Sequence, residues 1–253
     1  MLSEKRKDYL MTLLREEGQI VATTASQALG VSEDTIRRDL RDMAREGLLT
    51  RVHGGALPVS PALGDVKARA GISTDAKRAI GKAAAALVKD GQVVFVDGGT
   101  TCTHLVRSLP AALRATVATH SPSIAVELVE QPGIEVIMLG GRLFRHSVVG
   151  VGAGTLAAIA HVRADLYFMG VTSIHPDSGL ATGDYEEACI KRALAQNAAE
   201  TVVLASPEKL GTAAPFQVLP LAAAGTMIVS SETSEASLAS YRAACPSLSI
   251  IIT

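Results

Sequence analysis

Beyond residue 74 the chain alternates short apolar runs with longer stretches, and this alternation constrains its fold more than any other feature. The runs fall at 93–96, 116–119, 136–139, 166–169, 202–205, 226–229 and 249–252. Helical stretches lie between them, at about 75–89, 101–109, 122–130, 153–161, 185–199 and 235–244. Strands apolar on both faces, alternating with helices, predict a mostly parallel sheet covered on both sides. The composition agrees. Of 253 residues 48% are hydrophobic, yet only 3% are aromatic and none is Trp. A core of Ala, Val, Leu and Ile favours helix-on-sheet layers over an aromatic-rich sandwich. The expected fold is therefore α/β: a C-terminal three-layer domain, preceded by a smaller unit of different character.

That smaller unit occupies residues 1–57. Ser3 can cap a first helix with Tyr9, Leu10, Leu13 and Leu14 inward, and Gly18 ends it. A second helix, at about 24–29, stops at Gly30. Ser32 caps a third, in which Ile36, Leu40, Met43 and Ala44 recur on one face. Short strands at 48–51 and 56–59 flank His53-Gly54-Gly55, where glycines permit a tight turn. Helix, turn, helix and wing together form the winged helix-turn-helix plan.

The third helix turns Thr35, Arg37, Arg38 and Arg41 to solvent. Arginine bridges guanine O6 and N7 with two hydrogen bonds and also meets phosphates. Ser32 at the helix N-terminus suits a phosphate oxygen, and Arg51 and His53 on the wing reach toward an adjacent groove. The plainer alternative is a surface helix whose arginines pair with Asp39 and Asp42. Net charge does not decide between them. The chain carries 24 Lys and Arg against 25 Asp and Glu, a formal charge of −1. The charge is patterned instead: residues 37–51 hold five arginines and three acids, a local basic face sufficient for phosphate contact.

Pro58, Ser60, Pro61 and Gly64 mark a linker over 58–74, leaving 75–253 as the second domain. Cys102, Cys189 and Cys245 are odd in number and scattered, which excludes a disulfide framework and metal-ligand spacing. The six histidines form no ligand cluster, so neither a metal nor a cofactor is expected. The least charged window, 148–162, is too short and Gly-rich to span a membrane. Met1 leads directly into Glu4-Lys5-Arg6-Lys7, and the expected compartment is the cytoplasm.

In the second domain the first run ends in Asp97-Gly98-Gly99-Thr100-Thr101 and then a helix. A Gly-rich turn at a helix N-terminus offers N–H groups and a positive dipole end to an anion. Asp97 would repel a phosphate beside it, and is assigned to a sugar hydroxyl or to holding the loop. A plain strand-to-helix turn is the alternative. His120, at the next strand end, points toward the crevice where α/β ligands bind or serves the structure. Arg142 follows Gly140-Gly141, either at the pocket rim or in solvent. Glu187 and Lys191 stand at i and i+4, as ligand contacts or as a salt-bridged helix face. Lys209, on a loop after the fifth run, supplies a cation.

The run Thr35-Ile36-Arg37-Arg38-Asp39-Leu40, with Arg51-Val52-His53-Gly54-Gly55-Ala56, closely resembles the DNA-binding signature of the DeoR family of bacterial transcriptional regulators. Residues 66–253 resemble that family's sensor domain, which shares its fold with ribose-5-phosphate isomerase. The matching positions are Asp97 to Thr101, Gly140-Gly141, Gly179-Leu180, Asp184, Glu186, Glu187, Lys191 and Lys209. The resemblance implies a ligand-responsive regulator, most often a repressor of carbohydrate genes, acting as a homo-oligomer (dimer or tetramer) on double-stranded operator DNA. The implied effector is a phosphorylated sugar-type metabolite. There are departures: His120 stands where the family commonly has Asn, Ser206 where it often has Asp, and Val66-Lys67-Ala68-Arg69 where it has Phe-x-x-Arg. A sugar-phosphate isomerase with an accessory DNA domain is the rival from another class. Such an enzyme needs a positioned acid or base, and Gly170-Val171-Thr172-Ser173 lacks the acids its relatives keep there. A constitutive DNA-architectural protein is a third reading, and it predicts no ligand effect.

Overall fold

The computed structural model describes residues 3–253; Met1 and Leu2 lie outside the described residues. The N-terminal module runs α1 (Ser3–Glu17), β1 (Ile20–Val21), α2 (Ala22–Leu29), α3 (Glu33–Arg45), β2 (Thr50–Val52) and β3 (Gly55–Leu57). Leu10, Leu14, Ala22, Ala25, Ile36, Leu40 and Met43 close its core. Ser3 begins α1 rather than preceding it. Tyr9 is 40% exposed, because Leu10 and Leu14 define the inner line and Tyr9 sits a 100° step off it. Ser32 does cap α3, its Oγ accepting from Thr35 N at 3.3 Å.

The wing is a three-stranded sheet in the order β1-β3-β2, not a bare hairpin. The two-residue β1 carries no periodic signal and was not expected. It makes Gly55 indispensable: a Cβ there would lie 1.7 Å from the Ile20 carbonyl oxygen. Gly54, at φ +80°, turns the chain between β2 and β3.

Beyond the wing, the segment expected as bare linker holds a 3-10 turn over Pro61–Leu63 and α4 (Val66–Ala70), capped by Asp65. Next come α5 (Thr74–Ala85), β4 (Val93–Val96), α6 (Thr100–Arg107), β5 (Ala115–Thr119), α7 (Pro122–Glu127) and β6 (Ile134–Met138). A hairpin of β7 (Arg142–Phe144) and β8 (Val149–Val151) leads through α8 (Ala153–Ala160) to β9 (Ala164–Gly170). Then follow β10 (Ser173–His175), β11 (Gly179–Thr182), α9 (Tyr185–Gln196) and β12 (Ala198–Ala205). The chain ends with β13 (Phe216–Leu219), β14 (Thr226–Val229), α10 (Glu235–Ala244) and β15 (Ser249–Ile252).

Seven of these strands form one sheet, all parallel, in the order β15-β14-β12-β9-β4-β5-β6. Six of them contain a whole apolar run, and β6 ends one residue short of its own, at Met138. Successive residues alternate between two cores. Val94 and Val96 pack under α5 and α6, while Phe95 faces the opposite side with residues of α9 and α10. Val202 and Leu204 divide from Val203 and Ala205 in the same way. Helix ends at 85, 127 and 196 fall short of expectation by three or four residues. At the last of these, β12 already begins at Ala198. The hairpin β7–β8 and the small antiparallel sheet β10-β11-β13 were not anticipated.

The chain builds β4, β5 and β6 outward, then returns to place β9 on the other side of β4. The strand order reverses there, and the C-terminal ends of β4 and β9 open a crevice where α/β sheets bind ligands.

Gly55→Ala should destabilise the N-terminal module by about 1–3 kcal/mol through overpacking. Thermal unfolding followed by circular dichroism should show loss of helix at lower temperature, with the parallel-sheet domain retained. An unchanged transition would show that β1 yields freely.

Candidate functional site

Two surfaces carry the polar groups singled out in the sequence. The first is on the N-terminal module. Arg37, Arg38, Arg41, Arg51 and His53 are all exposed. Arg37, Arg51 and His53 share one groove with Gly54 and Gly55, between α3 and the wing. Thr35 is half-buried beside Ser32, their hydroxyls 3.0 Å apart. The plainer alternative, in which Asp39 pairs with the arginines of α3, does not hold. Asp39 is buried and accepts from Arg6 of α1, Nη2 to Oδ1 at 3.0 Å. Arg37 pairs instead with Glu33 at 2.7 Å, and Arg45 with Asp42 at 3.3 Å. Arg38 and Arg41 make no ion pair among the described residues. Such exposed pairs are worth about 0–1 kcal/mol, so they exchange readily for phosphate or base contacts.

The second surface is the crevice between β4 and β9. Its wall includes Gly98, Gly99, Thr100, Thr101, Gly170, Thr172, Glu187, Lys191 and Lys209. Gly99, at φ +114°, is the N-cap of α6, so the first N–H groups of that helix have no intrahelical acceptor. Lys191 and Glu187 reach the cleft from α9, and Lys209 from the 3-10 turn after β12. Three further charged groups were not read from the sequence: Arg69 of α4, Lys77 of α5 and Glu208. Lys77 Nζ donates to Arg69 O at 2.8 Å and lies 3.5 Å from Glu208 Oε1.

Beneath the cleft, Asp97 is 1% exposed and accepts from five donors. They are Gly98 N (2.8 Å), Gly170 N (3.0 Å), Tyr167 Oη (3.1 Å), His120 Nε2 (2.9 Å) and Lys191 Nζ. Burial opposes its charge, but Lys191 and His120 outweigh burial and hold the carboxyl well below the usual range. For Lys191, burial likewise pushes the pKa down, and Asp97 with Glu187 prevail and raise it. Burial, reinforced by Asp97, pushes the Cys102 thiol up to about 12, so it stays protonated and unreactive.

For three positions the sequence left a ligand contact and a structural or solvent role open, and the ligand contact is corrected. Asp97 lies behind the turn and holds it, rather than facing a ligand. His120 is fully buried, its Nδ1 2.8 Å from Gly150 O, and it does not line the cleft. Arg142 is exposed and pairs with Glu186 outside the cleft. Glu187 and Lys191 are not a surface pair either, since both are buried. Lys191 serves Asp97, and Glu187 accepts from Ser147 Oγ at 3.2 Å.

Four buried side-chain atoms lack a hydrogen-bond partner among the described residues, and three of them face this cleft. They are Arg69 Nη2, Thr101 Oγ1 and Glu208 Oε2. Four cations gather around the cleft and the carboxylate beneath it, against three acids: Arg69, Lys77, Lys191 and Lys209 against Asp97, Glu187 and Glu208. The arrangement suits a small polar anion. No metal-holding cluster occurs among the described residues, and no described helix is long and apolar enough to cross a membrane.

Comparison with known proteins agrees with this two-part design. Residues 6–62 match the DeoR-like helix-turn-helix domain, and residues 72–231 match the DeoR C terminal sensor domain. The chain is 35% identical to the HTH-type transcriptional regulator GlpR of Haloferax volcanii over 83% of each chain. It is 31% identical to the transcriptional repressor CsqR of Escherichia coli, over 84% of this chain and 82% of that one. Among solved structures, ribose 5-phosphate isomerase A of Methanocaldococcus jannaschii overlaps 54% of each chain at 21% identity, with a TM-score of 0.41. The chain belongs to the DeoR family. It is a DNA-binding transcriptional regulator with a sensor domain.

Asp97→Asn keeps the shape but takes from buried Lys191 the carboxylate it is hydrogen-bonded to, leaving only the more distant Glu187, which should cost about 3–5 kcal/mol of stability. Adding Lys191→Met should restore most of that loss. Urea unfolding of the three proteins would show it, and equal midpoints for wild type and Asp97→Asn would refute the central role of this pair.

Proposed function

We propose that the chain represses carbohydrate-metabolism genes, and that a phosphorylated sugar or related metabolite in the β4–β9 cleft sets its affinity for operator DNA. The observation that carries this reading is the gathering of unpartnered buried polar atoms in one cation-rich cleft. A buried polar atom without a partner costs about 1–3 kcal/mol, and an anionic, hydroxyl-bearing ligand would supply the missing partners. The phosphate would sit on the Gly98–Thr101 turn, with Lys77 and Lys209 as counter-charges and Glu187 accepting from a sugar hydroxyl. Relatives whose names point the same way include the glycerol-3-phosphate regulon repressor of Escherichia coli, 28% identical over 83% of this chain.

At the other end, α3 would enter the major groove, with Thr35, Arg37, Arg38 and Arg41 at the bases and phosphates. Ser32 would meet a phosphate, and Arg51 and His53 of the wing the neighbouring groove. A homo-oligomer in the cytoplasm would set two such helices about 34–36 Å apart on one face of the duplex. The working division is 1–57 for DNA, 58–74 as connector and 75–253 as sensor. Effector and operator then shift each other's affinity reciprocally, typically by about 1–3 kcal/mol.

Gel-shift titration with promoter DNA from the protein's own genetic neighbourhood tests the reading. A panel of sugar phosphates, set beside the same sugars without phosphate, should contain a phosphorylated member that changes the midpoint about 5- to 150-fold. Binding indifferent to every member would reject the sensor role.

The affinity of that member should follow a bell in pH. A phosphate monoester gains its second charge near pH 6. Burial pushes Lys209 down to about 8, against the opposing pull of Glu208. An anion favours charged Lys209, so binding takes up a proton above that pH and weakens as pH rises further. Calorimetric titration should find the maximum between these limits, and Lys209→Met should remove the alkaline fall. A flat profile from pH 6 to pH 9 would show that Lys209 does not face the anion.

A further inference from the structure

The seven-stranded sheet ends in two edge strands, β15 and β6, and the two edges differ. At β15, Ile250 packs into one core and Ile251 into the other. At β6 the cover is incomplete. Ile134 and Val136 reach the core shared with α5 and α6, but Ile137 and Met138 are 36% and 42% exposed. Proteins usually blunt an exposed edge with Lys, Pro or a bulge. Ile134-Glu135-Val136-Ile137-Met138 contains neither Lys nor Pro, and it pairs with Ala115–Thr119 without a break in register.

The backbone of this edge points outward in a regular pattern. Leu139 N donates to Thr119 O, and Gly133 O accepts from Ala115 N. Odd-numbered residues therefore bond inward to β5, and Ile134, Val136 and Met138 turn their N–H and C=O groups away from the sheet. An antiparallel neighbour would exchange two hydrogen bonds at each such residue.

An apolar groove runs beside the edge. Its wall is built from α7, the turn after it and β6, and no charged residue lines it among the described residues. Val126 and Val129, in this wall, are 70% and 72% exposed. The charges nearby balance. Arg107 pairs with Glu127, Nε to Oε2 at 2.7 Å, and Arg114 and Glu130 add one of each sign. A second copy of the same surface meets no net repulsion.

The pattern is also its own complement. A two-fold axis at Val136 sets Val136 opposite its copy and Ile134 opposite Met138 of the partner subunit. Every outward N–H and C=O of the strand then finds a partner. The same axis puts both copies of α7 on one side of the joined sheet, with the uncharged grooves meeting at the seam. Glu135 stays on the other side, where Thr116 Oγ1 donates to it at 3.3 Å. A stable homodimer needs about 800 Å² from each partner. A strand of five residues is too small for that alone, so the groove belongs to the contact.

We infer that β6 and the groove beside α7 form an isologous interface between two copies of this chain, joining their sheets edge to edge. This rests on the homo-oligomer proposed above and names the surface that builds it. β5 lies between this edge and the β4–β9 cleft, so the pairing leaves the cleft to its ligand.

Sedimentation of the full chain tests the inference. Wild type should sediment as a dimer or a multiple of one. Val129→Lys combined with Met138→Lys sets like charges across the seam at two exposed positions, and the mass should fall by half with the circular dichroism unchanged. Val136→Cys gives an independent readout that decides the matter if the double variant does not fold. Directly opposed Cα atoms of a hydrogen-bonded pair lie about 5.5 Å apart, within disulfide reach. Mild oxidation should therefore cross-link Val136→Cys into a dimer on a non-reducing gel. Ile137→Cys, offset from its copy by two residues, should stay uncross-linked, as should wild type. If the double-lysine variant keeps the wild-type mass, or if Val136→Cys does not cross-link, the inference is overturned while the homo-oligomer stands. If wild type is a monomer, both fall, and the gel-shift response to sugar phosphates still decides the sensor reading separately.

Discussion

The buried carboxylate of Asp97 organises the sensor domain. It sits where the strand order reverses, and its acceptor capacity is spent on groups from four places: the Gly98 turn, the ends of β5 and β9, and α9. A charge there is costly unless it is paired and hydrogen-bonded. Lys191 provides the pairing, and the backbone amides fix the glycine turn in position. The turn therefore presents its free helix-end amides rigidly, which is what anion selectivity requires. Lys191 also donates to Gly170 O at 2.8 Å. One ion pair thus locks both lips of the crevice, β4 and β9, and leaves the other cations of the cleft uncommitted to Asp97.

One of those other cations, Lys209, comes from a segment that also meets the DNA-binding module. Lys209 begins the stretch whose Ala213 touches Pro58, Val59 and Thr50. Within that stretch Thr212 Oγ1 folds back on Lys209 O at 2.8 Å, and Gly211 N is held by Tyr241 Oη at 2.9 Å. The distance from cleft to wing along the chain is therefore four residues, with hydrogen bonds at nearly every step.

The sequence discloses the layered sheet, since all seven parallel strands are apolar on both faces. It also discloses the cap at Ser32 and the inner line of α3. Two-residue β1 and the small strands around β11 are hidden, because pairing partners, not local pattern, define them. The polar site is legible in part. Gly98 to Thr101, Lys191 and Lys209 stand out by type and place. Glu187 and Lys191 read either as ligand contacts or as a salt-bridged helix face, and both keep register with Leu194 on the inner face of α9. Lys77 keeps the same register with Ile80, Gly81 and Ala84. A charge in register with an apolar stripe is itself the sign of a buried site. Arg69 has no such sign. It stands in a segment rich in turn residues, and only tertiary packing brings it over Gly99.

The DNA-binding module is electrically balanced, and this fits control by a small ligand. Residues 1–60 hold nine basic and nine acidic side chains, and several acids are already paired: Asp39 with Arg6, Glu46 with Lys7, Glu33 with Arg37. Arg38 and Arg41 carry no ion pair among the described residues, while Arg37 is held by Glu33. Non-specific attraction is correspondingly modest, because it scales with the phosphates neutralised. Specific affinity then depends on geometry rather than on bulk charge. A protein that gripped DNA through bulk charge would be insensitive to a shift of one connector. In a balanced module a coupling of about 1–3 kcal/mol is a large share of what separates operator from other sequence.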